Sequence, residues 1–291
     1  MTSLRPWVVL STAAWRGAEA RTTAGLGPVI TGTGMWWPDE VDPAASGDFA
    51  FWMPSQVAAR AVNAGVELTL TDPGARWIAD LPDWARRREV HTAAARYVPF
   101  RVLGDLGPDA STGKVFAKLA VSKDDRWSAG VHTLDELVRW LDGLPADELV
   151  QWTSTVFDIR TEVRCFVLDG EMLASSSYVF DGLDYSALVD RPDLLHDSMR
   201  VRDEKLASDL ADLVAGAMRY RSPRGYVLDV AVTRDDETFV VEANPAWCSS
   251  WYDCNLDGVR RVVDAACAHD PVFAWRPSPL IAGSHPLRLP S

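Results

Sequence analysis

The chain has 291 residues, enough for about two domains at roughly 150 residues each, and its 47% hydrophobic and 24% charged content is that of a folded rather than a disordered protein. Acidic residues outnumber Lys and Arg by 41 to 29, a formal net charge of -12, which argues against a nonspecific nucleic-acid coat or a binder of anionic membranes but leaves room for a local basic pocket. The four cysteines, Cys165, Cys248, Cys254 and Cys267, form no C-x-x-C and lack a His at zinc-finger spacing, so they are expected to be reduced, mostly buried thiols of a cytoplasmic protein.

In chain order, Trp7 to Thr12 reads as a buried opening strand. Ser11, Thr12 and Arg16 interrupt the apolar run that a signal peptide needs, although Ala18-Glu19-Ala20 fits a cleavage pattern. No stretch approaches the ~20 apolar residues of a membrane span. The Gly-rich run Gly25 to Gly34 lacks the third glycine of a G-x-G-x-x-G loop, where Trp37 stands, and reads as a turn rather than a phosphate cradle. Ser55 is expected to N-cap a helix with Val57, Ala61 and Val62 on one face, ended by Gly65. Val66, Leu68 and Leu70 then alternate as a strand stopping at Asp72-Pro73-Gly74. Arg86-Arg87-Arg88 reads as a solvated helix face or interdomain link.

Residues 114–121 form a strand carrying Lys118. Thr133-Leu134-Asp135-Glu136 is a capping box opening a helix with Leu134, Leu137, Val138 and Leu141 on one stripe. Residues 149–156 form another strand. Arg160 to Tyr178 is a hairpin turning at Asp169-Gly170, and residues 203–219 are an amphipathic helix burying Leu206, Leu210, Leu213, Val214 and Ala217. A second hairpin joins Tyr226–Val232 to Thr238–Glu242, and residues 258–268 form a last helix. The Pro-rich tail from Asp270 is expected to wrap the surface or to be partly mobile.

The second hairpin carries the most chemistry. A two-residue loop at Asp235-Asp236 sets Arg234 opposite Glu237, and counting back along both arms sets Asp229 opposite Glu242, with Asn244 on the same face. Two opposed carboxylates among Val227, Leu228, Val230, Val240 and Val241 need a proton or a cation. An all-oxygen set of Asp, Glu and Asn suits Mg²⁺ or Mn²⁺. The alternative is that Asp229 faces solvent and pairs with an Arg. Lys118, Lys123 and Arg164 each sit in or beside an apolar strand, where an unpaired cation is expensive unless the stem snorkels. Together with the acidic hairpin they describe a nucleoside triphosphate plus metal.

From Lys114 to Val263 this order resembles the ATP-grasp superfamily, whose members carry an Asp on one strand and E-x-N on the next. Here those are Asp229 in Val227-Leu228-Asp229-Val230 and Glu242-Ala243-Asn244. Phe116-Ala117-Lys118, Lys123 and Thr161-Glu162-Val163-Arg164-Cys165-Phe166 are similar to the clade named for two lysines and one arginine. The resemblance implies a mixed α/β (α+β) ATP-grasp fold, with two subdomains clasping the nucleotide behind an N-terminal α/β pre-grasp-like domain. The expected boundaries are 1–100, 101–150 (small subdomain), 151–270 (large subdomain) and a 271–291 tail.

The resemblance also implies residue roles. Lys118 and Lys123 contact phosphates, Arg164 faces the terminal phosphate, and Asp229, Glu242 and Asn244 hold the metal. The strand Gln151-Trp152-Thr153-Ser154-Thr155-Val156 is the adenine hinge. Ser249, Ser250, Trp251 and Tyr252 are placed to line an acceptor pocket, or else form a plain turn. The Gly-rich lid of the superfamily is reduced to Trp127-Ser128-Ala129-Gly130, and no substrate motif is visible before residue 100.

The implied activity is an ADP-forming carboxylate–amine ligase using ATP and Mg²⁺, passing through an acylphosphate, on an amino acid, peptide or small acid. An ATP-binding regulatory module and an ATP-dependent modifier of a protein or RNA end are the competing readings. A membrane partner is not expected, and the acidic balance disfavours nucleic acid.

Overall fold

The computed structural model describes residues 4–107, 113–121 and 125–290. It divides into three sheets. Strands β1 (Trp7–Leu10), β2 (Val29–Gly32) and β3 (Ala50–Trp52) form a parallel sheet in the order β2-β1-β3. All four residues of β1 are buried, which explains its unbroken apolar run. β2 occupies part of the run read as a Gly-rich turn.

The helix Ser55–Asn63 follows β3, but Pro54 occupies its N-cap. The helix buries Ala58, Ala59 and Ala61 and leaves Val62 exposed, so the expected cap and face are both displaced. Val66 and Leu70 are buried as an alternating segment should be, yet no strand forms over residues 66–70. The bonds made around its end come from the far end of the chain: Trp275 N donates to Leu70 O (2.8 Å) and Thr71 N to Ala266 O (2.9 Å). A local pattern cannot report partners two hundred residues away.

Strands β4 (His91–Ala94), β5 (Lys114–Leu119), β6 (Gly130–Thr133) and β7 (Leu149–Thr153) make an antiparallel sheet in the order β4-β7-β5-β6. The helices Val98–Leu106 and Leu134–Trp140 pack on it around Val102, Val115, Leu137, Val150 and Trp152. The capping box at Thr133 is present with both of its bonds. The boundaries expected at residues 100 and 150 both cut through this layer, because β4 and β7 pair with each other.

The third sheet is built from β8 (Ile159–Leu168), β9 (Glu171–Phe180), β10 (Leu183–Asp184), β11 (Gly225–Thr233) and β12 (Thr238–Asn244), in the order β10-β9-β8-β11-β12. Asp169 (φ 51°) and Gly170 (φ 85°) both adopt left-handed backbone, as the tight turn between β8 and β9 requires. The helix Ser198–Met218 covers one face of this sheet. It begins five residues before the expected start, with Asp197 capping Met199 and Arg200. It buries Ala207, Leu210, Ala211, Val214, Ala215 and Met218, while Leu213 is 66% exposed, so the stripe is rotated from the one read in the sequence.

The helix Leu256–Ala266 covers part of the other face, near Phe166 and Val227, and shares one core with β1, β3, Trp247 and Trp251. The N-terminal sheet is thus fused to the large sheet rather than appended to it. The tail packs: Leu287 and Ile281 are buried, Leu287 N donates to Arg60 O (2.9 Å), and Leu280 N donates to Glu148 Oε2 (2.9 Å). Three of the four free thiols, Cys165, Cys254 and Cys267, are buried and Cys248 is half-buried. Among the described residues no helix is long and apolar enough to cross a membrane.

Candidate active site

Beyond the part of the face covered by the helix Leu256–Ala266, the large sheet opens toward the four-stranded sheet. Here register places Arg164 of β8 opposite Asp229 of β11, and Asp229 opposite Glu242 of β12. Arg164 Nε and Nη2 grip the two oxygens of Asp229 at 2.9 and 2.7 Å, and both side chains are almost wholly removed from solvent. Asn244 Nδ2 donates to Asp229 Oδ2 (2.9 Å) and to Glu242 Oε1 (2.7 Å). Lys118, arriving from β5 of the other sheet, pairs with Glu242. Cation and anion therefore alternate in a row across the sheet, Arg164, Asp229, Glu242, Lys118, with the Asn244 amide bridging the two acids. Burial works against the Arg164 charge, but the carboxylate of Asp229 outweighs it and holds the guanidinium protonated. Asp229 pairs with an Arg, as the alternative reading had it, but inside the sheet and not in solvent.

The apposition of Asp229 and Glu242 is as expected, but the route to it is not. Thr233, not Arg234, lies opposite Glu237, with Thr233 N donating to Glu237 O at 2.9 Å. The loop is Arg234-Asp235-Asp236, one residue longer than the two-residue turn, with Asp236 at φ 63°. That longer loop sets Val230 opposite Val240 and alone would bring Val241 against Asp229. A β-bulge between the Asp229 and Val230 pairs absorbs one residue and returns Glu242 to that place.

A cavity of about 320 Å³, within the range of small-molecule sites, lies between the two sheets. One wall is Lys118 to Val121 with Trp127, Ser128 and Ala129, and the other is Glu242 to Pro245, with Asp72 and Gly74 at the edge. Lys123 lies outside the described residues. The segment expected to read adenine is mostly committed elsewhere. The backbone of β7 pairs with β4 and β5, Gln151 Nε2 donates to Ala75 O (2.5 Å), and Trp152 Nε1 donates to Asp105 (2.8 Å). Gln151, Trp152 and Thr153 are buried, whereas Ser154 and Val156 lie exposed past the strand end, so only the segment after Thr153 leaves the sheet.

The loop after Asn244 splits its duties. Ser250 O accepts from Arg164 Nη1 (3.3 Å). Tyr252, at a left-handed φ of 48°, lies parallel to Tyr178 with ring centres 5.1 Å apart, and both rings flank the Arg164 guanidinium. Ser249 Oγ donates to Pro245 O (2.8 Å), and Trp251 is fully buried between Trp7 and Trp52. Ser250 and Tyr252 thus meet the site, while Ser249 and Trp251 hold the loop.

Glu162, Arg88 and Asp72 belong to this region, although the sequence reading gives none of them a part in the site. Glu162 shares the face of Arg164 two residues along β8 and accepts from the Tyr178 hydroxyl. Burial pushes its carboxyl above the usual range; the Tyr178 bond opposes this, Asp229 adds to it, and Lys118 and Arg164 counter it. The alternation of a strand was the signal that could have found it. Arg88 is not on a solvated face: it lies over the Phe239 ring (4.7 Å) beside Lys118, Gln151 and Val241, and burial pulls it down to about 10 despite Glu162. Asp72 is lifted by burial to about 6, against the Gly74 N–H that holds it down.

Two carboxylates and an amide are an oxygen donor set that fits a hard divalent cation. Among the described residues no third His, Cys, Asp or Glu joins them.

The sequence profile of an ATP-grasp domain, family 3 of the clade named for two lysines and one arginine, matches residues 41–263. No curated protein matches the chain. Among solved structures, D-cycloserine synthetase DcsG aligns at 14% identity over 90% of this chain and 98% of its own, with a TM-score of 0.51. N5-carboxyaminoimidazole synthase from Aspergillus clavatus, in complex with ADP and 5-aminoimidazole ribonucleotide, aligns at 12% identity over 94% and 80%, with a TM-score of 0.52. At these identities the likeness is one of fold.

Proposed function

The chain belongs to the ATP-grasp domains, in family 3 of the two-lysine, one-arginine clade, and we propose that it is an ATP- and Mg²⁺-dependent carboxylate–amine ligase acting on an amino acid, peptide or small carboxylic acid. The observation that carries this reading is the row of Arg164, Asp229, Glu242 and Lys118, whose Glu242–Lys118 end lines the cavity between two sheets. A row of alternating charges that neutralises itself can exchange partners at little electrostatic cost when an anionic nucleotide and a cation enter together.

In this reading Lys118 turns from Glu242 to the phosphates, with Lys123 as the second lysine, and Arg164 faces the terminal phosphate. The segment from Thr153 to Val156 serves the adenine. Asp229, Glu242 and Asn244 hold Mg²⁺, which when bound neutralises charge on the phosphate oxygens. An oxygen of the acid attacks the terminal phosphorus, the bond to the bridging oxygen breaks and ADP departs. The amine then attacks the acyl carbon, loses a proton, and expels phosphate as the C–N bond forms. The protein's part is positioning and charge stabilisation in a water-poor cleft.

Release of ADP from ATP in the presence of paired pools of amino acids, peptides and small acids tests this. Release that needs both an acid and an amine, and that is lost in Glu242→Ala, is the expected result. ATP binding without turnover in any pool would favour a regulatory module, and unchanged metal-dependent ATP binding in Glu242→Ala would remove the site assignment.

A further inference from the structure

Arg16 lies in the first turn of the helix Ala14–Arg21, directly after the central strand β1. Because β2 and β3 flank β1 on opposite sides, the chain leaves β1 at the switch point of the sheet, where parallel α/β folds open a ligand crevice. From there the Arg16 guanidinium reaches the large sheet. Its carbon lies 4.5 Å from the Trp15 ring centre, 4.9 Å from Trp52 and 5.2 Å from Trp251. Its Nη2 donates to Ser250 Oγ at 3.0 Å, while the carbonyl of that same residue accepts from Arg164. Two guanidiniums, one from a helix behind the N-terminal sheet and one from the large sheet, therefore converge on Ser250.

Unlike Arg164, Arg16 has no acid in direct contact; Glu19 acts on it only from a distance. Among the described residues it makes no ion pair, and its Nη1 is buried with no hydrogen-bond partner. Glu19, one turn along, accepts from Trp251 Nε1 (2.8 Å). Burial lowers the Arg16 pKa; Tyr252 and Glu19 oppose this, and the neighbouring Arg164 adds to it. A half-buried, aromatic-caged guanidinium with one buried, unmet donor beside a second cation is a receptor for an anion. Stacking on the rings fixes the plane of the fork, as bidentate carboxylate recognition requires.

We propose that Arg16 is the binding residue for the carboxylate of the acid substrate, which it presents beside Arg164, and that the half-exposed ring of Trp15 receives an apolar or aromatic body on that acid. The role rests on the ligase reading: the acid oxygen must reach the terminal phosphate that Arg164 faces. Ser250 is the hinge between the two sites, touching both cations.

The test titrates the full chain with 3-phenylpropionate and with its neutral isostere 3-phenylpropionamide, following tryptophan emission and heat. The wild type should bind the carboxylate at least about tenfold more tightly than the amide, the loss expected for one charge-assisted hydrogen bond. Arg16→Met should erase that preference, and Arg16→Lys should keep part of it, which separates loss of charge from loss of fold. Equal binding of the two probes, no binding of either, or an Arg16→Met protein that keeps the preference would overturn the proposal. ATP titrated separately into the wild type reports on the ligase reading. Failure to bind ATP removes that reading, whereas ATP binding with an Arg16-independent probe response removes only the role of Arg16.

Discussion

The Arg164–Asp229 pair is a buried ion pair whose partners cannot be separated cheaply. Removing one side leaves an uncompensated charge, so Asp229→Asn should lower the unfolding free energy by about 3–5 kcal/mol, read by urea denaturation. The double change Arg164→Met with Asp229→Leu should recover much of that loss while abolishing nucleotide binding. A double variant as unstable as Asp229→Asn would mean that the pair serves the fold rather than the site. Asp72 titrates differently. Its folded-state pKa, raised from 3.8 to about 6, means that the native state keeps a proton the unfolded chain has lost. Its contribution therefore weakens the fold as pH rises through that interval and is constant on either side. Asp72→Asn should flatten the pH dependence of the unfolding midpoint between those values, and an unaltered slope would show that the carboxyl titrates normally.

At the scale of elements, the closest fit is between β11 and the helix Leu256–Ala266. A Cβ at Gly225 would lie 2.2 Å from Val262 O and 2.8 Å from Ala266 N, both backbone atoms with little freedom to yield. Gly225→Ala should cost about 1–3 kcal/mol in thermal or chemical unfolding and shift the helix off the sheet. The same face carries Phe166 and Val227 under the helix and Arg164 and Asp229 beyond it, so that shift should also weaken ATP binding. The bulge in β12 belongs to this scale as well. Its effect is to turn Glu242 toward Asp229 after a loop one residue longer than the tightest turn. Counting along the hairpin reached the right pair only because the longer loop and the bulge cancel. Neither has a signal in this stretch, since Arg234, Asp235 and Asp236 suit several loop lengths and Val241 differs little from Val240.

Across the whole molecule, the cleft lies between two sheets joined by few covalent links, and the tail spans the helix Ser55–Asn63 and the four-stranded sheet. Truncation after residue 270 removes Ile281 and Leu287, each fully buried apolar side chain being worth about 1.5–3 kcal/mol, together with the bonds to Arg60, Leu70 and Glu148. The thermal midpoint should fall, and an unchanged midpoint would mean that the tail is decoration. MgATP should stabilise the intact chain by about 2.7 kcal/mol at a hundredfold excess over Kd, and so raise its midpoint, because it binds the native state alone. In Glu242→Ala that rise should vanish.

Strands, hairpins and the acidic pair were legible because they are local or periodic. β1 is a continuous apolar run, Asp169-Gly170 is a turn that needs left-handed backbone, and Asp229 and Glu242 sit on the two arms of one short hairpin. The order of Lys118, Arg164, Asp229, Glu242 and Asn244 also carried the family, since charged residues in apolar strands are retained at a cost that packing does not repay. What lay beyond the sequence was every contact between distant segments. Arg88 looked like surface until Phe239 and Lys118 came beside it, residues 66–70 looked like a strand but find a distant backbone partner only at Leu70, and Arg16 looked like an interruption in an apolar run. Burial and partnership belong to pairs of segments, and Arg16 acquires its aromatic cage and its neighbour Arg164 only when the first strand of the chain is packed against the last helix.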